Sequence, residues 1–155
     1  MIVPDVNLLL YAYDASSRFH AAAAAWWRNC LSGSEPVGLP PVVVFGFVRI
    51  ATSARVFEHP MTPGEAADHL RAWLAQPVVQ VLEPRAGHIE RVLTLLESLG
   101  AAGNLVTDAQ IAALVLESDA VLHTTDTDFV RFASLRWLNP LTRITSRKVP
   151  ARRDR

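Results

Sequence analysis

Four aspartates have the residue type and the spacing along the chain of a carboxylate cluster. Asp5 follows a short apolar segment at the start of the sequence, and Asp126 and Asp128 follow another near its end. Asp108 lies in the first turns of the helix predicted to lead into that second segment. Two unit negative charges about 4 Å apart repel by roughly 4 kcal/mol at an effective dielectric near 20. A fold that gathers these carboxylates must therefore protonate some of them or bind cations.

The cations that suit such a cluster are Mg²⁺ or Mn²⁺, because the available ligands are oxygens. No His or Cys is placed to favour Zn²⁺, since His123 is predicted to project from a strand. Asn7, Thr107, Thr124 and Thr125 offer neutral oxygens for metal-bound water. Two ions about 3.5–4 Å apart can activate a water and stabilise the leaving oxygen in phosphodiester cleavage. The pattern therefore favours metal-assisted hydrolysis without a protein nucleophile.

Each part of the pattern also has a purely structural interpretation. Asp5 and Asn7 at a strand end are typical of an Asx-turn or a helix cap. Asp108 suits the positive end of its helix, and residues 125–128 suit an ordinary strand-to-helix turn. The three together favour a functional site only if the fold brings them to one place.

The elements that would do so alternate between short strands and helices. Strands are predicted at residues 1–6, 37–39, 78–82, 120–124 and 136–138, the second being either a strand or an extended lead into two prolines. Helices are predicted at 8–13, 20–31, 42–54, 63–75, 88–99 and 104–116, with a helical turn at 128–132. Asn7 is the predicted N-cap of the first helix, and Ser16 or Ser17 that of the second. The alternation predicts an α/β sandwich with a central, mostly parallel sheet, whose ligands bind at the carboxyl ends of the strands.

Composition is typical of one folded domain with an uneven charge distribution. The 155 residues are 50% hydrophobic and 19% charged, which excludes intrinsic disorder for the body of the chain. Fifteen basic and fifteen acidic residues give no net charge, which excludes a wholly basic nucleic-acid binder. Six of the basic residues fall within 143–155, so the body is acidic. We expect a domain at 1–141 and a basic tail at 142–155, which either contacts RNA or a partner or acts as a solubilising segment.

The predicted location is the cytoplasm, without membrane association. Cys30 is the single cysteine and has no partner for an internal disulfide. Asp5 interrupts the apolar start, and no basic segment of a signal peptide precedes it. The longest apolar run, residues 39–48, is too short to span a bilayer and contains Pro40 and Pro41.

Four segments, in order along the chain, resemble the motifs of PIN domains. They are Asp5–Ala12, Gly103–Leu114, Thr124–Phe129 and Leu135–Leu141. The likeness covers about residues 1–141 and, with the chain length, resembles the VapC toxins of toxin–antitoxin modules. It implies a PIN-like three-layer α/β/α sandwich and a Mg²⁺-dependent endoribonuclease, with Mn²⁺ as a substitute ion, that cuts a structured cellular RNA such as tRNA or rRNA.

The resemblance also implies site residues and partners. The expected metal ligands are Asp5, Asp108 and Asp126, with Asp128 as an auxiliary catalytic carboxylate, and Asn7, Arg49 and Thr125 are assigned to substrate binding. The expected partners are a cognate VapB antitoxin, an RNA substrate and a second copy of the chain in a homodimer. The helices between Val42 and Ala75, with Trp73 and Leu74 on the last of them, are expected to form a groove for an amphipathic antitoxin segment.

One departure from the family pattern affects the site. Family members usually carry a Glu in a Glu-Phe-hydrophobic-Arg context after the second strand, whereas this chain has Gly46 there, followed by Phe47. The lower charge leaves one or two metal ions open. Arg49 is either a surface or capping arginine or a phosphate contact. A non-catalytic RNA- or protein-binding module is the second interpretation, while a phosphoaspartyl protein would need a lysine that only the tail supplies, as Lys148.

Overall fold

The computed structural model describes residues 1–146 and has a five-stranded, all-parallel sheet at its centre. The strands are β1 (Ile2–Pro4), β2 (Val37–Leu39), β3 (Val79–Val81), β4 (Val121–His123) and β5 (Trp137–Leu138). They lie in the order β3-β2-β1-β4-β5, which confirms the predicted parallel sheet and the strand at 37–39.

Six helices and one 3₁₀ turn connect the strands. They are α1 (Val6–Tyr13), α2 (His20–Ser32), α3 (Pro41–Ala51), α4 (Pro63–Leu74), α5 (His88–Leu99), α6 (Leu105–Glu117) and the 3₁₀ turn Thr127–Arg131. The path from β1 through β2 to β3 runs outward in one direction, and the path from β3 to β4 returns past β1. Right-handed crossovers therefore place α1–α4 on one face of the sheet and α5 and α6 on the other. The predicted three-layer α/β/α sandwich is confirmed.

Aromatic side chains fill the core on the side of α1–α4. Trp27 and Phe47 pack edge-on against Trp73, with ring centroids 5.3 and 4.9 Å from it. The Trp73 indole N–H donates to the Tyr13 hydroxyl at 2.7 Å, so the buried ring has its polar partner. Trp73 is 1% exposed and belongs to the core, while its neighbour Leu74 is 45% exposed.

The helix starts differ in part from the predictions. The N-cap of α1 is Asp5 rather than Asn7, because the Asp5 carboxylate accepts from Val6 N and the helix already begins at Val6. Helix α2 follows Phe19 and has no side-chain cap, so Ser16 and Ser17 do not cap it. Helix α4 has the capping box that its sequence predicts, in which Thr62 and Glu65 each accept from the other's backbone N–H.

The chain continues beyond residue 141 along the edge strand β5. Leu138 forms an antiparallel bridge with Thr145, and Ser146 N donates to the Trp137 carbonyl at 2.9 Å. Arg143 is described, with a φ of +61°. The other basic residues of the predicted tail lie outside the described residues. Among residues 1–146, the helices are all too short or too polar for a bilayer crossing.

Replacing glycine by alanine is expected to change the free energy of unfolding in opposite directions at two positions. A Cβ at Gly38 in β2 would lie 2.6 Å from Leu82 Cδ1 and 2.7 Å from Leu82 Cγ, whereas one at Gly64 in α4 meets nothing closer than 3.9 Å. Gly38→Ala is expected to lower the free energy of unfolding by about 1–3 kcal/mol through overpacking. Gly64→Ala is expected to leave it unchanged or raise it by up to about 1 kcal/mol through helix propensity. Urea denaturation measures both, and equal effects would contradict the described packing of β2.

Candidate functional site

The sheet topology brings the two ends of the sequence to one crevice. β1 and β4 are neighbours, with Ile2 paired to Val121 and Pro4 to His123. The strand order reverses between them, since the chain leaves β1 towards β2 and returns to β4 on its other side. Ligands of open parallel sheets bind beyond the carboxyl ends of the strands at such a reversal. Asp5 and Thr124 are the residues that directly follow these two strands.

Asp5 is a buried carboxylate held by two hydrogen bonds. It is 5% exposed, and it accepts from Val6 N at 2.7 Å and from Thr124 Oγ1 at 2.8 Å. Burial raises the pKa of Asp5 to about 6, although both hydrogen bonds favour the charged form. The negative charges of Asp108 and Asp126 raise this pKa further.

Thr124 links Asp5 to the aspartates that follow β4. Its hydroxyl donates to Asp5 and accepts from Asp126 N at 2.9 Å. The Asp126 carboxylate in turn accepts from Asp128 N at 2.8 Å and caps the 3₁₀ turn. These two bonds use the Thr124 proton and one of its two lone pairs, so one lone pair is left to accept from a metal-bound water, as predicted.

Helix α6 delivers the third carboxylate. It begins just after Gly103, whose φ of +63° lies in the left-handed region that favours glycine. Asp108 in its first turn is half-buried, and burial raises its pKa to about 6, with further contributions from the charges of Asp126 and Asp128. Asp108 makes no side-chain hydrogen bond or ion pair within residues 1–146.

These side chains line one cleft of about 830 Å³. Five of the predicted site residues are among its lining: Asp5, Asn7, Arg49, Asp108 and Asp126. The other two are not, since Asp128 is exposed beside the cleft and Thr125 follows the buried Thr124 without lining it. Asp128 still acts on the cleft through its charge, as the pKa of Asp108 shows.

Sequence reasoning did not identify Thr124 as the link or His123 as a buried residue. His123 is predicted to project from a strand, and the structure buries it there: it is 9% exposed, and its Nδ1 accepts from the Trp26 indole N–H at 3.0 Å. The indole can only donate, so this bond assigns the ring proton of neutral His123 to Nε2. For Thr124, the Thr-x-Asp spacing was a usable signal, because such a hydroxyl often accepts from the backbone two residues on.

Gly46 occupies the cleft wall where the family pattern has a Glu. It lies in α3 among the lining residues, and a Cβ built on it would be 3.0 Å from Val6 Cγ2. Glycine therefore lets α3 approach the first residue of α1, next to Asp5. The wall carries no fourth carboxylate at this position.

The oxygen donors of the cleft fit Mg²⁺. Within residues 1–146, no three Asp, Glu, His or Cys side chains form a ready-made metal centre. Asp5 accepts one hydrogen bond on each oxygen, which leaves each oxygen a second lone pair for an ion or its water. Mg²⁺ usually keeps several waters and binds through one or two carboxylates, and the partly open, all-oxygen cleft fits that mode. Burial is the main cause of the two raised pKa values, and a cation would relieve the mutual repulsion that adds to it.

Residues 2–135 match the family model of the PIN domain. The chain belongs to the PIN domain family. Its PIN domain is of the VapC type: it is 47% identical over 141 residues to ribonuclease VapC33 of Mycobacterium tuberculosis, which covers 91% of this chain and 99% of that protein. It is 38% identical to ribonuclease VapC43 of the same species over 91% of this chain and 96% of that protein.

Solved structures agree with this PIN fold. The toxin VapC20 of Mycobacterium tuberculosis, described as cleaving the sarcin–ricin loop, superposes with a TM-score of 0.66 at 20% identity, covering 87% of this chain and 96% of that one. VapBC2 of Rickettsia felis, solved with a DNA fragment from its promoter, gives a TM-score of 0.63 at 17% identity, covering 88% and 97%.

The Thr124 hydroxyl is expected to control the ionisation of Asp5. Thr124→Val removes a hydrogen bond that favours the charged form, so the pKa of Asp5 should rise above about 6. The unfolding free energy should fall by about 1–3 kcal/mol, because buried polar atoms lose their partner. Thr124→Ser keeps the hydroxyl and should leave the pKa unchanged. Carboxyl ¹³C NMR titration measures both, and equal pKa values in the two variants would contradict the link.

Asp108 is expected to destabilise the metal-free fold at neutral pH. The pKa of Asp108 in the folded state is about 6, above the usual 3.8. The contribution of its protonated form to the unfolding free energy is therefore fully present below the unfolded pKa. That contribution is lost as the pH rises through 6. Without metal, Asp108→Asn should therefore melt a few degrees above the wild type at about pH 7.5 and no higher at about pH 4.

The matched control for this experiment is Asp68→Asn. Asp68 pairs with Arg71 on the surface of α4, where both side chains are more than three-quarters exposed. Such pairs contribute little, so this variant should melt with the wild type at both pH values. A gain for Asp108→Asn that does not change with pH would contradict the electrostatic explanation.

Proposed function

We propose that this PIN domain is a Mg²⁺-dependent endoribonuclease, with Mn²⁺ as a substitute ion, and the toxin of a type II toxin–antitoxin system. The observation that carries the proposal is the meeting of Asp5, Asp108 and Asp126 in one cleft, from three different elements. The ribonuclease names of relatives at 47% and 38% identity over most of the chain support the same activity.

Three carboxylates are proposed to hold the ion, one or two of them directly and the rest through its bound waters. Asp5, Asp108 and Asp126 would bind Mg²⁺, which when bound supplies an activated water and stabilises the leaving oxygen. Asp5 is rigid, because Val6 N and Thr124 fix both of its oxygens. Asp108 has no competing hydrogen bond within residues 1–146, so its carboxylate is available to the ion. Asp128 lies outside the lining and is proposed to act through its charge.

Arg49 and Asn7 are proposed to orient the RNA backbone. Arg49 is exposed, lines the cleft from α3 and forms no ion pair within residues 1–146. Its guanidinium suits a phosphate, which the negative carboxylates alone would repel. Asn7 lies on α1 in the same lining and offers both a donor and an acceptor. Thr125 stays a proposed substrate contact from the rim.

A structured RNA is the proposed substrate, with tRNA or rRNA as its class. One neighbour in fold is described as cleaving the sarcin–ricin loop, which supports a folded RNA target. The body of the chain is acidic, so further contacts to phosphates must come from basic residues elsewhere. Residues 142–155 are proposed to supply them, and such contacts would weaken with added salt.

A VapB-type antitoxin is the proposed protein partner. A second cleft of about 390 Å³ lies between α1, α3 and the segment after α3. Its lining is mostly apolar, with Tyr13, Phe47 and Met61, and Asp14 and Glu58 give it an acidic rim. An apolar segment with basic flanks would fit it. Structural neighbours solved as VapBC complexes, including VapBC-1 of Haemophilus influenzae with a TM-score of 0.59, support such a partner. A two-fold homodimer of the chain is proposed as well.

RNA cleavage with defined ions tests the proposed activity. The wild type should cut total cellular RNA with Mg²⁺ or Mn²⁺ and not with EDTA. Asp5→Asn and Asp108→Asn should each lower the rate by about 100-fold or more, because they remove charge that holds the ion. Asp68→Asn on the surface of α4 should cut like the wild type.

The same experiment separates the second candidate function. Gly46 leaves the cleft one carboxylate short of the family pattern, which favours a non-catalytic RNA-binding module. That module would bind RNA without cutting it under any divalent ion. Cleavage that persists in EDTA, or in both aspartate variants, would contradict the nuclease proposal.

A further inference from the structure

Phe45 is a large aromatic side chain that the fold leaves outside its core. It lies in α3 and is 69% exposed, whereas Phe47, two residues on, is fully buried against Trp73. Phe45 is absent from the hydrophobic core cluster and from the side chains packed on it. A ring that stays 69% exposed gains little from folding, so the core does not explain its presence.

The ring stands in the acidic cleft beside Arg49. Phe45 and Arg49 are four residues apart in α3, so they share one side of the helix, and both line the cleft. Gly46 between them presents only hydrogen to the cleft and packs closely on Val6, the residue after Asp5. An aromatic face, a guanidinium and three carboxylates therefore border the same space.

We propose that Phe45 is a substrate-positioning residue that stacks on an RNA base next to the phosphate held at the cleft. The inference rests on the proposed ribonuclease function and deepens it. Unpaired RNA bases are commonly bound by stacking on aromatic side chains, and such stacking tolerates any base. The amides of Asn104 and Gln110, also in the lining, provide donors and acceptors for the edge of a stacked base.

A protein partner is a weaker explanation of the exposed ring. Protein interfaces bury clusters of apolar side chains, with the strongest contacts in fully desolvated pockets. Among the strongly exposed large apolar residues in 1–146, Phe45 alone belongs to this cleft. Phe45 borders carboxylates, amides and an arginine as well as the partly buried Val42 and Ile50, which suits a flat group with an apolar face and polar edges.

RNA binding without cleavage tests the proposal. The parent is the full chain carrying Asp108→Asn, and the probe is a fluorescein-labelled, unstructured RNA of about 12 nucleotides, read by fluorescence anisotropy with Mg²⁺. Adding Phe45→Leu should weaken binding by about 5- to 100-fold, and adding Phe45→Trp should not. An RNA of the same length without bases should bind the parent and the Phe45→Leu variant equally, because there is nothing to stack.

Two controls test whether the effect of Phe45→Leu on RNA binding is specific to the ring. Ile89→Ala removes another apolar side chain, 75% exposed on α5 and outside the cleft, and should leave RNA binding unchanged. Thermal melting should show that Phe45→Leu folds like its parent, since the ring has no core contacts.

The other outcomes of the binding experiment either overturn or support the stacking proposal. Equal binding by the parent and Phe45→Leu, or no RNA binding by the parent, overturns the proposal. A change in self-association with RNA binding intact also overturns it, because the ring would then belong to a protein interface. Loss of binding in Phe45→Leu, together with a wild type that never cuts RNA, would support stacking while the nuclease proposal fails.

Discussion

A buried carboxylate at the reversal point of the sheet is the constraint on which the cleft depends. Asp5 is almost inaccessible to water, and desolvation opposes its charge. One of its hydrogen bonds starts α1, and the other, from Thr124, joins the ends of β1 and β4. Both bonds favour the charged form of Asp5. They also hold its carboxylate where β1, α1 and β4 meet, and there the charges of Asp108 and Asp126 repel it. The cleft therefore gathers three carboxylates whose charges repel one another.

Much of this arrangement could be predicted from the sequence, because its signals are local. The strands and helices follow from apolar periodicity and from Gly and Pro at their ends, and the alternation allows few parallel topologies. An aspartate that directly follows a parallel strand lies at the carboxyl edge of the sheet, whichever strands are the neighbours of that strand. The adjacency of β1 and β4 was the long-range condition, and the structure meets it.

The parts that sequence reasoning missed depend on distant partners. The Thr-x-Asp spacing around Thr124 indicates its local bond to Asp126 but not its bond to Asp5, which lies 119 positions away. His123 is buried because Trp26, on another helix, supplies its hydrogen bond. Asn7 and Asp5 are equally good caps by residue type, and the exit direction of β1 decides between them. Phe45 and Phe47 have the same chemistry, so only the rotation of α3 separates the exposed ring from the buried one.

The double duty of Asp5 affects how PIN-like sequences with lost activity would diverge. The residue caps α1 with one oxygen and joins two strands with the other, so replacing it endangers folding before it endangers chemistry. Asp108 has no such structural obligation within residues 1–146. A lineage released from selection for catalysis would therefore keep Asp5, or exchange it for another capping residue, long after Asp108 had drifted. In such lineages, the presence of Asp108 in α6 is a better indicator of retained catalytic activity than the presence of Asp5.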